Sequence, residues 1–374
     1  FLYHPEFVTN GMTILFREGR TKGVGLRVLV GQRTATTSTS DLDPTRLEEL
    51  VATTCAAAKM TAADEHAGLP DPSLFAAPEC DDLDLFDQNL EQLDVDTARE
   101  MALTCERVAM DADPRITNSE GAEFSWGFRQ IHLANSAGTY QQRHGTSAGM
   151  FVTPVAEDGE GAQRDYWYTS ARHQEDLLSP EAVGEKAAQR TLRRLGAVKP
   201  QTSKVPVIFE SPMASRLLGS LAGAINGGSI YRKASYLVDQ LGESIAAPTV
   251  EIEDNPHLRR GAAFKPFDGE GLPTRPLLVV EGGVLRSYIL DSYTGRKLGM
   301  ESTRHASRGL GGTPSPSTTN LWMRPGSLSL DEIIASTSRG LLVTELFGFG
   351  VNNVTGDYSQ GAAGLWIEDG VVQH

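Results

Sequence analysis

GFGVNNVTGDYSQGAAGLWIEDG, residues 348–370, is the stretch that says most about the fold of this chain. It contains six glycines, and its polar run Val351–Gln360 leads through Gly-Ala-Ala-Gly into the strand-like Leu365–Ile367. Because glycine adopts positive φ and allows a second backbone to approach closely, this composition predicts a sharply shaped loop on a sheet. Asp369-Gly370 is typical of a hairpin turn. The residues by themselves therefore favour a tight turn system in a β-rich domain.

Length, composition and charge limit the classes of function. The chain has 374 residues, 40% hydrophobic and 22% charged, which predicts two or three folded domains. The formal net charge of -14 argues against nucleic-acid binding, because phosphate backbones require a basic surface. No stripe of lysine and arginine overrides this charge. The densest basic segment, Arg190–Arg194, ends a predicted helix, where cations complement the helix dipole.

The sequence also predicts the compartment. No apolar run of about eighteen residues is present, so we expect no membrane-spanning helix. Residues 1–15 lack the features of a signal peptide, and the start at Phe1 indicates that the native start is missing. Cys55, Cys80 and Cys105 have no metal-like spacing, and Cys55 and Cys105 lie on predicted helices, as buried thiols often do. A reducing, cytoplasmic location is expected.

Hydrophobic periodicity predicts an α+β protein with two domains. We expect residues 1–200 to form an N-terminal domain of mixed strands and three helices, divisible into subregions 1–62 and 88–200. Its helices are predicted at 43–59, 96–111 and 179–195, and its strands at 13–17, 25–31, 34–38, 123–134, 139–153 and 163–173.

Residues 201–374 are predicted to form a β-rich domain with a few short helices. A strand at 205–209 precedes a helix at 211–225, and Gly282-Gly283 is predicted to join two strands of a hairpin. Ser329–Glu332 has the pattern of a capping box. Gly223–Gly228 is predicted to end a helix rather than begin one, which argues against an anion site there.

Residues that carry chemistry are sparse. No two of the eight histidines lie within five residues of each other, so no helix can present a close zinc-binding pair. For His305, in a polar and loop-like setting, a hydrogen-bonded structural role is favoured over metal binding. The sequence has no G-x-S-x-G nucleophile motif and no phosphate-binding loop of the G-x-x-x-x-G-K-[ST] type.

Most carboxylates are expected to be solvated or to serve turns. Asp268-Gly-Glu270-Gly271 is interpreted as a glycine-rich turn, and Asp357 is expected to bind nearby backbone amides. Two aromatic and basic groups, Tyr231–Lys233 and Tyr293 with Arg296-Lys297, could contact peptide carboxylates or carbonyls. Ordinary surface or interdomain contacts are the favoured interpretation of both.

Several long motifs together resemble the TldD/PmbA family of peptidases. They are LAGAINGGSIYRKASYL within Phe209–Leu237, YTGRKLGMEST at 293–303 and VTELFGFGVNNVTGDYSQGAAGLWIEDG at 343–370. RITNSEGAEFS at 115–125 and RDYWYTSARH at 164–173 are similar to the middle region of the same proteins. Within the family, the PmbA branch, also called TldE, is the closer match.

The resemblance implies a cytoplasmic peptidase assembled from two proteins. The TldD-type partner carries a His-Glu-x-x-x-His zinc motif on a helix and a further cysteine ligand near its C-terminus. The matching positions of this chain are Gly219, Ser220 and Ala224, which are neither zinc ligands nor a general base. The resemblance thus implies a subunit without cofactor, with zinc in the partner. It also implies that the second domain continues past His374.

Two main hypotheses follow. In the first, this chain is the non-catalytic half of the peptidase and holds an unfolded peptide by strand addition, helped by the glycine-rich loop at 348–364. The implied roles are maturation of modified peptides such as microcins, degradation of labile antitoxins and, in an older description, modulation of DNA gyrase inhibition. The alternative is a homodimeric peptide-binding or regulatory protein. A hydrolase that acts alone through an unrecognised site is a third hypothesis.

The candidate residues for contact with a peptide combine the motifs above. We expect them to face a peptide or line a cleft: Tyr231, Arg232, His305, Asp357, Tyr358 and Gly361.

Overall fold

The computed structural model describes residues 2–10, 12–16, 19–76, 82–159 and 161–373. Cys80 lies outside these residues. The architecture is α+β, as the sequence predicts. No described helix combines the length and the apolar character that are needed to cross a bilayer.

The N-terminal residues form strands that belong to two different sheets. The elements are β1 Leu2–Thr9, β2 Met12–Phe16, β3 Gly19–Arg20, β4 Val24–Val30, β5 Arg33–Thr39 and α1 Pro44–Met60. β4 and β5 pair as an antiparallel hairpin, and α1 packs on it. The Asp43 side chain accepts hydrogen bonds from the first amides of α1, and Pro44 opens the helix, as predicted. β1, in contrast, pairs with a strand of the central region.

The central region is a seven-stranded sheet covered by two helices. Its elements are α2 Gln88–Glu91, α3 Val95–Asp111, β6 Ile116–Ala134, β7 Tyr140–Glu157, β8 Ala162–Arg164, β9 Trp167–Ala171 and α4 Pro180–Leu192. The strand order is β2-β1-β6-β7-β8, with β3 paired to β1 and β9 paired to β7. Phe124 and Met150 of the sheet are buried against Ala102, Cys105 and Val183 of the helices. Burial raises the pKa of the Cys105 thiol to about 12, which is typical of an inert core thiol.

The C-terminal region contains two four-stranded sheets. Its first elements are β10 Val207–Phe209, α5 Ser211–Ala224, α6 Gly227–Tyr231, β11 Ile252–Asp254, β12 Leu277–Glu281, β13 Val284–Leu285, α7 Ser292–Leu298, β14 Ala306–Ser307, β15 Ser315–Pro316 and β16 Leu321–Met323. They continue with α8 Leu330–Ala335, β17 Arg339–Phe347, β18 Val351–Asn352, β19 Asp357–Tyr358, β20 Gly361–Glu368 and β21 Val371–Val372. The sheet orders are β10-β17-β20-β21 and β13-β12-β11-β16. The predicted hairpin at Gly282-Gly283 and the capping box of Ser329 and Glu332 are confirmed.

The glycine-rich stretch 348–370 forms the turn system that its composition predicts. Asp369 and Gly370, with φ of 50° and 76°, join β20 to β21. A Cβ on Gly350 would lie 1.4 Å from the carbonyl oxygen of Ser359, so only glycine fits where the two arms of the loop meet. The close backbone approach that glycine allows is therefore between parts of the loop itself.

Two predicted elements differ from the observed ones. α5 ends at Ala224 as expected, but the Asn226 side chain then accepts a hydrogen bond from Gly228 N and opens α6. The prediction that Gly223–Gly228 only ends a helix is wrong, because Asn226 is a strong N-cap residue. The strand predicted at 163–173 is divided into β8 and β9 around the buried Asp165.

Candidate functional site

The α5 positions at which the sequence resemblance places the zinc motif of the TldD-type proteins, Gly219, Ser220 and Ala224, carry no metal-binding side chain. Gly219 is exposed, and nothing lies within 4 Å of the point where its Cβ would be. The Ser220 hydroxyl donates to the carbonyl of Arg216 at 3.1 Å, and Ala224 is fully buried. Among the described residues, no group of three or more His, Cys, Asp or Glu side chains is arranged to hold a metal ion.

The 348–370 loop packs beside α5. Tyr236 N donates to the carbonyl of Asn353 at 2.8 Å, and a Cβ on Gly223 would lie 3.0 Å from Asn353 Nδ2. Gly356 lies against the Tyr236 ring. The two sequence motifs that carry the resemblance are thus neighbours in space.

Three candidate residues lie on this loop. Asp357 is exposed, and its Oδ2 accepts a hydrogen bond from the Thr355 hydroxyl at 2.6 Å. The expected bonds from backbone amides go instead to Asn352, whose Oδ1 accepts from Val354 N at 3.0 Å. Tyr358 is 41% exposed, whereas Gly361 is covered by the Phe347 ring, 2.3 Å from where a Cβ would be.

His305 lies inside the domain, contrary to the cleft position that the sequence suggested. Its side chain is 1% exposed. Nδ1 is 2.6 Å from the carbonyl of Thr303, which fixes Nδ1 as the proton donor, and Nε2 is 3.3 Å from Asp254 Oδ1. Because both ring nitrogens have internal partners, His305 acts as a core hydrogen-bonding group.

Tyr231 and Arg232 line a cavity of about 450 Å³ at the junction of the β4–β5 hairpin with α6 and α7. We call it the Glu270 cavity. Its other polar walls include Arg27, Thr34, Asp64, Asn226, Glu270, Asp291 and Tyr293. This volume falls within the usual range of small-ligand pockets.

Helix capping fixes two walls of the Glu270 cavity. Asn226 caps α6 and also donates from Nδ2 to the carbonyl of Pro316 at 2.9 Å. Asp291 caps α7 in a reciprocal box with Thr294, whose amide is 2.7 Å from Asp291 Oδ1. Gly227 lets α6 approach α7, since its Cβ would lie 2.7 Å from the Thr294 hydroxyl oxygen.

Three buried polar atoms of residues that line the Glu270 cavity have no hydrogen-bond partner among the described residues. They are Asp291 Oδ2, Arg27 Nε and Thr34 Oγ1, and Asp291 is only 1% exposed. Buried polar groups are normally satisfied, so orphaned atoms at a cavity wall indicate places for ligand atoms. A ligand would thus find a hydrogen-bond acceptor in Asp291 Oδ2, a donor in Arg27 Nε and a group that can do either in the Thr34 hydroxyl.

Glu270 supplies a second carboxylate to the cavity. Its Oε2 accepts from Ser292 N at 2.9 Å. Burial, followed by the charges of Asp268 and Asp291, raises the pKa of Glu270 to about 7. Burial also lowers the pKa of Arg27, and Glu270 opposes that effect. Glu270 is thus a buried carboxylate whose charged form is disfavoured by its surroundings, with Arg27 and Arg308 as its cationic neighbours.

α7 joins the Glu270 cavity to the segment that follows α1. The Tyr293 hydroxyl donates to Asp64 Oδ2 at 2.7 Å, and Lys297 Nζ is 3.4 Å from Asp64 Oδ1. Arg296 donates to the carbonyls of His66 and Leu69, each at 2.6 Å. Arg296 and Lys297 thus make interdomain contacts, the interpretation that the sequence favoured.

Comparison with known proteins gives the family. The PmbA/TldA metallopeptidase models match in three parts: domain 1 at residues 8–60, the central domain at 88–195 and the C-terminal domain at 202–374. Metalloprotease PmbA of Escherichia coli O157:H7 is 39% identical over 375 residues, covering 98% of this chain and 80% of that protein. The chain belongs to the PmbA/TldD family.

Other relatives show the breadth of the PmbA/TldD family. A TldD homologue of Haemophilus influenzae is 23% identical over 90% of this chain and 71% of its own length. The crystal structure of a putative modulator of DNA gyrase from Bacteroides thetaiotaomicron has a TM-score of 0.91 at 29% identity, covering 100% of this chain and 82% of that one. TldE from Thermococcus kodakarensis shares the fold, with a TM-score of 0.86 at 23% identity. The match covers 99% of this chain and 84% of that one.

The models of the PmbA/TldD family are described as metallopeptidase domains, so the family implies a bound metal. Zinc sites use histidine, cysteine or carboxylate ligands. Gly219, Ser220 and Ala224 supply none of these, and no other described element places an atom within 4 Å of the Cβ position of Gly219. The described residues of this family member do not fit the metal.

The Tyr293–Asp64 hydrogen bond gives a direct test of the interdomain contact. Tyr293→Phe is expected to lower the free energy of unfolding by about 1 kcal/mol at neutral pH, because one hydrogen bond to a carboxylate is lost. That bond is the main cause of the lowered pKa of Asp64, so this pKa should rise in the variant. A carboxyl whose pKa is lowered in the folded state stabilises that state at pH values above its unfolded-state pKa. The difference in stability between Tyr293→Phe and the wild type should therefore shrink as Asp64 becomes protonated at low pH.

Urea denaturation and NMR titration of Asp64 measure both effects. Tyr358→Phe is the control, since Tyr358 is exposed on the loop and neither change is expected there. If Tyr293→Phe and Tyr358→Phe had the same stability and the same Asp64 pKa, the Tyr293–Asp64 hydrogen bond would be contradicted.

Sequence reasoning missed Glu270 and Asp291 and took Asp268–Gly271 for a solvated turn. The turn exists, since Asp268 accepts from the amides of Glu270 and Leu272, but it is buried. Nothing local distinguishes such a turn from an exposed one. The residues that cover the turn are distant in sequence, since a Cβ on Gly271 would lie 2.8 Å from the Leu133 side chain and 3.7 Å from the Phe75 ring.

Proposed function

We propose that this chain is a PmbA/TldE-type subunit that holds an unfolded or modified peptide for a TldD-type metallopeptidase and carries no hydrolytic centre of its own. The observation that carries the proposal is the lack of metal-binding side chains at three positions of α5. Gly219, Ser220 and Ala224 occupy the positions where the metallopeptidase motif has its ligands and base, and none can replace them. Peptide maturation and antitoxin degradation are the functions proposed for the pair.

We place the peptide contact at the Glu270 cavity. Asp291 Oδ2 and Glu270 offer two buried carboxylates, which suit the ammonium group of a peptide amino terminus. Arg27 Nε is available to a backbone carbonyl of the same peptide. Tyr231, which packs edge-on against Tyr293 with ring centroids 6.1 Å apart, gives an apolar wall beside the entrance.

The test is reconstitution. The chain should not cleave peptide when purified alone, whereas the mixture with a TldD-type partner should, and the zinc should belong to the partner subunit. Peptide cleavage is measured by mass spectrometry, with and without a chelator, and zinc by elemental analysis of the separated subunits. Chelator-sensitive cleavage by the chain alone, with bound zinc, would overturn the proposal.

Variants of the cavity connect the pair's activity to this chain. Asp291 also caps α7, so Arg27→Gln and Glu270→Gln are the variants of choice, with Glu301→Gln as an exposed control. We expect the first two to raise the KM of the pair for peptide and to leave kcat largely unchanged, because they alter binding remote from the metal. An unchanged KM would remove the cavity from the proposal.

A homodimeric peptide-binding protein is the second candidate, and the exposed loop favours it. Phe347 and Phe349 are 53% and 104% exposed, and exposed apolar groups of this kind often mark protein interfaces. Size-exclusion chromatography of the chain alone and mixed with a TldD-type protein separates the two candidates. A stable dimer that forms no mixed complex supports the second.

A further inference from the structure

A second cavity, of about 470 Å³, lies between the β6–β7 hairpin and the segment 260–265. Its basic lining residues come from four separate parts of the chain: Arg129, Arg143, His144, Arg172, Arg260 and Lys265. We call it the arginine cavity. No Asp or Glu is among the described residues that line it, although the chain as a whole has a net charge of -14.

Only one of these cations is neutralised by carboxylates. Arg260 pairs with Asp84 at 2.7 Å, with Glu175 at 2.6 Å and with Asp176 at 3.0 Å. Within the described ranges, no carboxylate forms an ion pair with any of the other four cations: Arg129, Arg143, Arg172 and Lys265. The cavity therefore has an excess of positive charge.

Burial and mutual repulsion both disfavour the charged forms of these cations. Burial, followed by the charges of Arg129 and Arg172, lowers the pKa of Arg143 to about 10. Burial and then Arg129 lower the pKa of Arg172. The pKa of Lys265 is lowered by burial and then by Arg143, and Asp268 and Asp254 only partly oppose this. An anion in the cavity would relieve all three shifts.

Part of the cluster has a structural role. Arg143 Nη1 donates to the carbonyl of Phe264 at 2.9 Å, and Arg172 donates to the carbonyls of Thr146 and Gly261 at 2.9 and 3.3 Å. These bonds join the central sheet to the C-terminal region and orient two guanidinium groups. They leave the charge uncompensated, because carbonyl oxygens are neutral acceptors.

Arg129 and Lys265 differ from Arg143 and Arg172, which donate hydrogen bonds to backbone carbonyls. Neither side chain has a hydrogen-bond or ion-pair partner among the described residues, and both line the cavity. An interdomain joint does not require these two cations. Their position beside two oriented guanidinium groups is the arrangement that binds a multiply charged oxyanion.

We propose that the arginine cavity binds an oxyanion ligand with two or more negative charges. Two sources present this chemistry: neighbouring carboxylates of an acidic peptide segment and a phosphate chain. The site is separate from the Glu270 cavity and needs no partner subunit, so the proposal stands or falls independently of the peptidase role.

Isothermal titration calorimetry on the chain alone tests the proposal. The probes are inorganic tripolyphosphate, a blocked tetraglutamate peptide and, as the neutral comparison, a blocked tetraglutamine peptide. Arg129→Gln and Lys265→Gln should each weaken anion binding by about tenfold, or about 1.4 kcal/mol. The affinity should also fall as salt is raised from about 50 mM, because exposed charge interactions are screened.

The control variant removes one positive charge elsewhere. Arg286, about half exposed, pairs with the equally exposed Glu281, so Arg286→Gln should bind the probes like the wild type. Circular dichroism and thermal melting serve to check that each variant is folded. Binding of only one anionic probe supports the proposal and identifies the source.

Three results would overturn the proposal. They are no saturable binding of either anion, equal binding of tetraglutamine, and equal weakening by Arg286→Gln.

Discussion

Replacing Arg190 with leucine is expected to lower the free energy of unfolding by about 3 kcal/mol, because the buried Asp165 carboxylate then keeps only the longer ion pair with Arg194, at 4.0 Å. Arg190 is 2% exposed and lies 3.3 Å from Asp165, which is 4% exposed. It also pairs with Glu210 immediately before α5, and its guanidinium lies 5.1 Å from the centre of the Trp167 ring. One side chain thus joins the central region to the C-terminal region.

Urea denaturation measures the loss, and Arg115→Leu is the control. Arg115 pairs with Asp113 at 2.9 Å on the surface, where solvent screens the charges, so this variant should lose much less stability than Arg190→Leu. Arg190→Lys should fall between the two, because lysine keeps the charge but lacks the planar fork. A loss below about 1 kcal/mol for Arg190→Leu would mean that water solvates Asp165 and Glu210 after the change.

Replacing Glu270 with glutamine is expected to change the pH dependence of stability by about 3 kcal/mol, at 1.36 kcal/mol for each pKa unit. The pKa of Glu270 is raised from 4.5 to about 7. The folded state therefore binds more protons than the unfolded state between these values, and the free energy of unfolding falls as pH rises through that window. The amide oxygen of glutamine still accepts from Ser292 N, so the variant removes the charge and keeps the contact.

The free energy of unfolding, measured from pH 4.5 to pH 8, tests this expectation. The free energy of unfolding of the variant should increase relative to that of the wild type as pH rises, and this difference should become constant above about pH 8. Asp268, Asp291, Arg27 and Arg308 are the charged neighbours of Glu270, and all remain in the variant. The exposed Glu301→Gln should show no such gain. Parallel pH profiles for Glu270→Gln and the wild type would contradict the raised pKa.

The local elements were largely predictable, because their signals lie within a few residues of sequence. Asp43-Pro44 begins α1 and Ser329–Glu332 begins α8, as capping chemistry requires. Asp369-Gly370 forms the hairpin turn because both residues adopt positive φ. The assignment of β1 to the central sheet was not predictable, since its partner β6 begins more than a hundred residues later.

The site residues show the same division. Gly219, Ser220 and Ala224 could be compared with a metal-binding motif from sequence alone, because that motif is confined to one helix. Tyr231 and Arg232 were singled out and line the Glu270 cavity, whereas His305 was placed at a cleft and is buried. A local pattern gives the chemistry of a side chain but not its depth.

The sequence by itself determined the family and most of the caps and turns. All of these depend on residues that are close together in the chain. Only the tertiary structure decided which charges are buried and which of them meet. Arg129 and Lys265 are 136 positions apart, yet they line one cavity, and Glu270 owes its raised pKa first to burial and then to the charge of Asp268. The energy of a charge depends on its solvation and its neighbours, and folding sets both.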